Sequence, residues 1–318
     1  MSAHSPLGSL RSRIPVLLAL GLAGAAITAA VYWALLAREY RLIEARFSLD
    51  AEIRAGAIQR AVASYADVVR ALQAFYNASQ EVERHEFQAF SRAFFGPAPG
   101  VKASGRRPGI QLLGWVPVVS AAERSDHEQQ VRAGGFPDYR VVERSPQGGY
   151  RPADPQREAF FPLCFVEPAG SQAMRMGFDL ASDRACRQMI ERARGSGELS
   201  ATGRLCFAEG GPRPWSFLVC APVYRPAAPD EATGEPVLDL QGVVLGVFQI
   251  DAIVEDSLDD SLEVGIDFRL FDDSSPGKPE LLYVRPSRVR YVPFVPPGDS
   301  EPAPQTGRFP RKMFTVAG

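Results

Sequence analysis

The sequence predicts an α+β fold carried behind one membrane-spanning helix, on three observations. A 24-residue run without a charge opens the chain, and a proline-free heptad stripe follows it. Beyond Pro108, short apolar runs alternate with turn residues and two helical segments, the texture of a largely antiparallel sheet with a few helices.

The apolar run is Ile14 to Ala37, IPVLLALGLAGAAITAAVYWALLA, bracketed by Arg11 and Arg13 before it and Arg38 after it. As a helix it rises about 36 Å, more than the roughly 30 Å of a hydrocarbon core, and Tyr32 and Trp33 fall near one interface. A cleavable signal peptide is the competing reading, since small residues lie around Ala25 and Thr28–Ala30. The run continues through VYWALLA past that patch, which is long for a signal sequence. We therefore expect residues 1–37 to be a cytoplasmic N-terminus and an uncleaved transmembrane helix. Basic residues flank both ends, so charge alone does not orient the span.

From Arg38 to Ser79 there is no proline and only Gly56, and Ile58, Val62, Tyr65, Val69, Leu72 and Tyr76 recur at spacings of 4, 3, 4, 3 and 4. That stripe predicts one long helix over 38–80, too long to stand without packing along its length. It either lies on its own domain or pairs with a second copy as a coiled-coil stalk. A second helix is expected from Glu81 to Phe95, ended by Gly96-Pro97.

Strand-like runs follow: IQLLGWVPVV, YRVVE, FPLCFVEP, RMGFDLA, GRLCFAEG, WSFLVCAPVY, VVLGVFQID and VGIDFRLFDD. Helices are expected at Ala121–Ala133, with Glu123 and Asp126 near its start, and at Ser182–Arg194, with Ser182 or Asp183 as N-cap and Gly195 after its end. Residues 226–236 read as a polar loop between two strands. Residues 274–318 read as a proline-rich connection whose last residues, RKMFTVAG, break off ahead of any second apolar run.

Composition excludes several function classes. Lys and Arg number 35 against 37 Asp and Glu, so the chain is no polybasic nucleic-acid binder, and 46% hydrophobic residues exclude a disordered polymer. Three scattered histidines, His4, His85 and His127, give no HExxH and no metal site. His85-Glu86 lacks the proline of a kinase phosphoacceptor box, and no GxxxxGK[ST], GxSxG or strand-linked GxGxxG occurs. No catalytic role and no cofactor is expected of this chain. Cys164, Cys186, Cys206 and Cys220 show no CxxC spacing. They read as small buried thiols, or, outside the cytoplasm, as a Cys206–Cys220 disulfide.

Asp179 is the most informative polar residue, a lone carboxylate inside the apolar run MGFDLAS, where it needs a partner. Asp179 or Ser182 serves as a helix cap, or Asp179 faces a small-molecule pocket and accepts hydrogen bonds from ligand N–H groups. Asp251 in FQID carries the same ambiguity, and Glu167 before Pro168 is expected at a strand end facing solvent.

The ordered blocks PGIQLLGWVPVV, AFFPLCFVEP, MGFDLASD, ATGRLCF, FLVCAPVY and GVVLGVFQID resemble the CHASE domain, the sensory module of membrane histidine kinases and nucleotide or diguanylate cyclases. The resemblance covers about 81–273. It implies a domain outside the cytoplasmic membrane, periplasmic or extracellular, between two transmembrane helices, and a long stalk helix followed by two PAS-like lobes. Ligand is then held in the membrane-distal lobe. Plant members bind adenine-type cytokinins through an aspartate in the strand matching MGFDLAS, which transfers to Asp179, and a backbone contact transfers to Ala201. Pocket walls taken from the matched strands are Trp115, Phe161, Leu163, Phe178, Thr202 and Phe217. The side chains between the blocks depart from the plant pattern, so a purine-like or another small organic ligand is implied with equal force. The expected partners are that ligand, the membrane and a second copy through the stalk. A membrane-anchored dimerisation or interaction module without a ligand is the alternative, and a membrane-bound hydrolase, resting on scattered carboxylates, is the third.

Overall fold

The computed structural model describes residues 14–95, 107–169, 171, 173–205, 215–226, 238–258, 267–272 and 279–285. The Cys206 half of the expected disulfide, the 226–236 loop apart from Pro226, and the C-terminal RKMFTVAG lie outside them. The chain divides at Gly56–Ala57 into two compact units.

The first unit holds the start of helix α1 (Ile14–Ala78), which is long and apolar enough to cross a membrane. Its apolar side chains stand exposed, among them Leu20, Leu22, Ile27 and Trp33, as a lipid-facing helix requires. The exposed apolar positions run on past Ala37 through Tyr40, Leu42, Ile43, Leu49 and Ile53.

The second unit is built on a five-stranded antiparallel sheet of order β6-β1-β9-β8-β7, from β1 (Ile110–Pro117), β6 (Phe165–Glu167), β7 (Ser200–Ala201), β8 (Ser216–Pro226) and β9 (Leu238–Gln249). Alternation sends successive side chains to opposite faces. Leu113, Val219, Ala221, Val223, Val244 and Phe248 face Tyr65, Val68, Val69, Leu72 and Tyr76 of α1 and Phe87 of α2 (Arg84–Arg92). Leu112, Val116, Leu218, Cys220, Val243, Leu245 and Val247 face the opposite way, onto Cys186, Met189, Ile190 and Ala193 of α4 (Arg184–Ser196). Both faces are therefore covered, which is why β8 and β9 read as nearly unbroken apolar runs.

The heptad stripe thus lies on its own domain over its distal half, with Ile58 packed below against Ile250 and Val254 of α5 (Ile250–Ser257). A Cβ on Gly246 would come within 3.0 Å of Val69 Cγ2 and collide with the Phe248 ring, so α1 lies directly on the sheet there. Gln73 Nε2 donates to Pro222 O at 2.7 Å, and Arg225 caps the α1 C-terminus by donating to the carbonyls of Tyr76, Ser79 and Gln80. Because Val69 is fully buried, Val69→Ala is expected to cost about 2 kcal/mol from two lost methyl groups plus the space they leave. Guanidinium unfolding of the detergent-solubilised chain would measure it; a cost near zero would mean that the helix does not press on the sheet.

Smaller elements complete the unit: β2 (Val119–Ser120) with β5 (Ala159–Phe160), β3 (Val142–Arg144) with β4 (Tyr150–Pro152), and helix α3 (Arg124–Ala133). A separate ribbon of β10 (Phe268–Asp272) and β11 (Glu280–Arg285) packs on α5 and Ile58. Arg204 ties that ribbon to the end of β7, donating to Asp272 Oδ2 from its backbone, pairing with Glu280 and reaching Leu281 O at 3.1 Å. β11 lies beyond the boundary at 273 that the resemblance indicated.

Three expectations are corrected. The second helix is shorter than Glu81–Phe95, beginning at Arg84 and closing in turns through Phe95. The fourth runs to Ser196 and ends at Gly197, in the left-handed conformation at φ 75°, not at Gly195. MGFDLAS forms no continuous strand; Phe178 and Asp179 make only isolated bridges, to Val142 and Pro162.

Candidate ligand-binding site

Helix α4 needs partners for its first N–H groups, and the chain supplies two aspartates in succession. Asp183 caps α4 by accepting from Cys186 N at 3.0 Å. Asp179 caps the 3₁₀ turn Leu180–Ser182 before it, accepting from Ala181 N at 3.2 Å, and its own carbonyl accepts from Ser182 Oγ at 2.5 Å. The Asp179 main chain is fixed by its N–H to Val142 O at 2.8 Å.

The Asp179 carboxylate is completely buried. Oδ1 accepts from Phe161 N at 2.9 Å as well as from Ala181 N, which fills both of its lone-pair directions. Oδ2 accepts from Arg157 Nη1 at 2.9 Å. Arg157 reaches at the same time to Glu143 Oε2 at 3.3 Å, and Arg151 pairs with Glu143 Oε1 at 2.6 Å. Two buried carboxylates thus share one bridging guanidinium. Burial pushes the Asp179 carboxyl above the ordinary aspartate range; the Phe161 N–H, the Arg157 charge and the Ala181 N–H oppose the rise and Glu143 adds to it.

Of the residues the sequence assigned to a pocket, Leu163 and Phe178 are buried with Asp179 in the core on the α4 side of the sheet, and Phe161 packs against that core. The Tyr150 ring meets Phe178 edge-on at 6.0 Å. Ala201 and Thr202 stand at the β7 edge: Thr202 Oγ1 accepts from Leu218 N at 3.0 Å, and Ala201 O accepts from Arg192 Nη2 at 2.6 Å. Helix α4 therefore begins beside Asp179 and holds Ala201 through Arg192. Trp115 and Phe217 do not join this group. Their side chains project from the other face, Trp115 stacked on Tyr76 of α1 at 4.2 Å and Phe217 against Phe248 at 5.5 Å, so they belong to the packing between the sheet and α1.

Glu167 is 6% exposed and pairs with Arg92 at 3.3 Å, so it is not the solvent-facing strand end the sequence indicated. Asp251 sits in the first turn of α5 and bonds Ala252 N. Cys164, Cys186 and Cys220 are buried free thiols, and burial pushes Cys164 up to about 11 and Cys220 up to about 12, so they are unreactive at neutral pH. Arg157, Glu143 and Arg192 escaped sequence reading, because charged residues in polar runs such as PQREAF carry no periodicity that marks them as partners of a distant aspartate.

The loop leading to Val142 and Glu143 is held by α3, where Glu128 accepts from Val141 N and Arg124 donates to Val141 O. His127 on the same helix meets Tyr139 Oη at 3.0 Å, and burial holds its pKa below the ordinary 6.5. The folded protein then binds fewer protons than the unfolded chain between those two values, so stability is lost as pH falls from 6.5 toward the folded value. Melting temperatures between pH 8 and 5 should fall more steeply for the parent than for His127→Gln; parallel curves would remove His127 as the cause.

A model of the CHASE domain family matches residues 80–283. Among solved structures, the ligand-binding domain of the Pseudomonas aeruginosa PAO1 amino acid chemoreceptor PctC, in complex with GABA, is similar over 73% of this chain and 74% of its own, at 14% identity and a TM-score of 0.36. No curated protein matches.

Proposed function

The chain belongs to the CHASE domain family, whose members are extracytoplasmic sensory modules, and on that premise we propose that it is the input module of a transmembrane receptor of the histidine kinase or diguanylate cyclase type. It holds a small molecule beside Asp179, Phe161, Leu163, Phe178, Ala201 and Thr202, with a purine of the adenine class as first candidate, and passes the signal to the stalk. One observation carries this reading: a single sheet has the Asp179 region and α4 on one face and the stalk helix on the other. A shift of α4 is therefore one sheet thickness from Val69 and Leu72. For the ligand to drive it, the ligand must bind one packing of that sheet better than the other.

The exposed Leu42 and Leu49, seven residues apart on α1, support a second copy as the stalk's partner. That arrangement would carry a small displacement toward the membrane.

The occupied oxygens of Asp179 favour a second reading, an interaction module whose own side chains fill the site. A thermal-shift screen of the detergent-solubilised chain against adenine, N6-substituted adenines and amino acids separates the two. A native-state ligand at a hundred times its Kd stabilises by about 2.7 kcal/mol, a rise of several degrees. Stabilisation by an adenine supports the sensor, whereas a flat response across the panel favours the interaction module.

A further inference from the structure

Oδ1 of Asp179 is saturated by two main-chain N–H groups, so among the described residues the one partner of this carboxylate that a ligand can replace is Arg157 on Oδ2. Arg157 is also the only one of the three partners whose bonding group is a side chain, and that side chain is 27% exposed while Asp179 is 0% exposed. Its second nitrogen already rests on Glu143. We propose that Arg157 is a built-in competitor for the ligand: it occupies Asp179 in the empty site, swings wholly onto Glu143 when ligand binds, and so selects ligands that offer an N–H donor strong enough to replace a guanidinium. This rests on the sensory reading above and adds its specificity residue. The exchange is feasible because Glu143 lets the guanidinium leave Asp179 without losing a carboxylate, where an isolated buried pair would resist separation. Ligands without a donor, such as simple carboxylates, would meet a neutralised aspartate and gain nothing there.

The test is isothermal titration of the full chain in detergent with adenine as probe, for the parent, Arg157→Gln and Glu143→Gln, each checked for a cooperative melt. Removing the competitor should tighten adenine by at least about fivefold, and removing the competitor's refuge should weaken it by a similar factor. Opposite signs distinguish competition from support, since a merely structural Arg157 would weaken binding in both variants. If Arg157→Gln does not fold, Arg157→Lys replaces it, since a single ammonium cannot span both carboxylates as the fork does: tighter adenine in that variant supports the proposal, and equal or weaker affinity overturns it. Equal affinity in all three overturns the competitor role and leaves the sensor standing. Adenine bound by none of them overturns both the purine reading and this inference.

Discussion

Asp179→Ala is expected to destabilise the chain by roughly 3 to 5 kcal/mol, and Asp179→Asn by about 1 to 2 kcal/mol. Alanine strands the Phe161 and Ala181 N–H groups without an acceptor and leaves Arg157 with Glu143 alone. Asparagine keeps the Oδ1 acceptor for both N–H groups and loses only the ionic bond, where its amide now faces the guanidinium. The pH dependence separates the variants further. Because burial raises the Asp179 pKa, the folded state holds its proton more tightly than the unfolded chain, so this group's contribution is fully present below its ordinary value of 3.8 and is lost as pH rises through the folded value. Asparagine removes that segment, so the gap between parent and Asp179→Asn should be wider at acid pH than at neutral pH. Guanidinium unfolding midpoints at two pH values read both quantities. Equal costs for alanine and asparagine would show that the two N–H bonds contribute little. The contrast also fixes how binding should be tested: a lost response in Asp179→Ala reports a damaged fold, whereas Asp179→Asn alters Oδ2, the oxygen proposed to meet the ligand, and spares the cap.

What the sequence made legible follows from the range of the forces involved. The stripe from Ile58 to Tyr76 is a local signal, and five of its six positions are buried in the structure while Val62 packs beside them. The apolar runs of β1, β8 and β9 were equally plain, because both faces of the sheet are covered. MGFDLAS misled, since its apolar residues are buried by tertiary packing on α4 and not by a strand ladder. β11 was missed because ELLYVR is short and lies among prolines, and its pairing with β10 is set by contact alone. Asp179 stood out as a carboxylate in an apolar run, and a buried charge implies a partner. Which partner cannot be read locally: Arg157 is 22 positions away, and its approach depends on the turns between β4 and β6. The same limit separated Trp115 and Phe217 from the site. Matched strands contribute residues to both faces, and membership of a strand does not say which face.

Gly177 is where these local and tertiary demands meet, and Gly177→Ala is expected to cost more than about 4 kcal/mol, beyond the range of ordinary substitutions. Its φ is +83°, which an L side chain adopts at a cost of roughly 1 to 2 kcal/mol. A Cβ there would also overlap the carbonyl of Arg140, and backbone cannot yield as a side-chain tip does. Gly177 N donates to Leu163 O at 2.8 Å and its carbonyl accepts from Val142 N at 2.9 Å, so it stitches together the two segments that flank Asp179. Pushing Arg140 away would displace Val142, Glu143 and the Asp179 main chain in one movement. The variant should therefore lose ligand-induced stabilisation along with its melting temperature. A comparison with Gly197→Ala isolates the tertiary part, because Gly197 is also left-handed at φ 75° but has open space where its Cβ would stand. That variant should cost only about 1 to 2 kcal/mol and leave the site intact. Equal losses in the two would mean that the close approach of Arg140 to Gly177 is relieved without disturbing Asp179, and that the site is more tolerant of backbone movement than its hydrogen bonds imply.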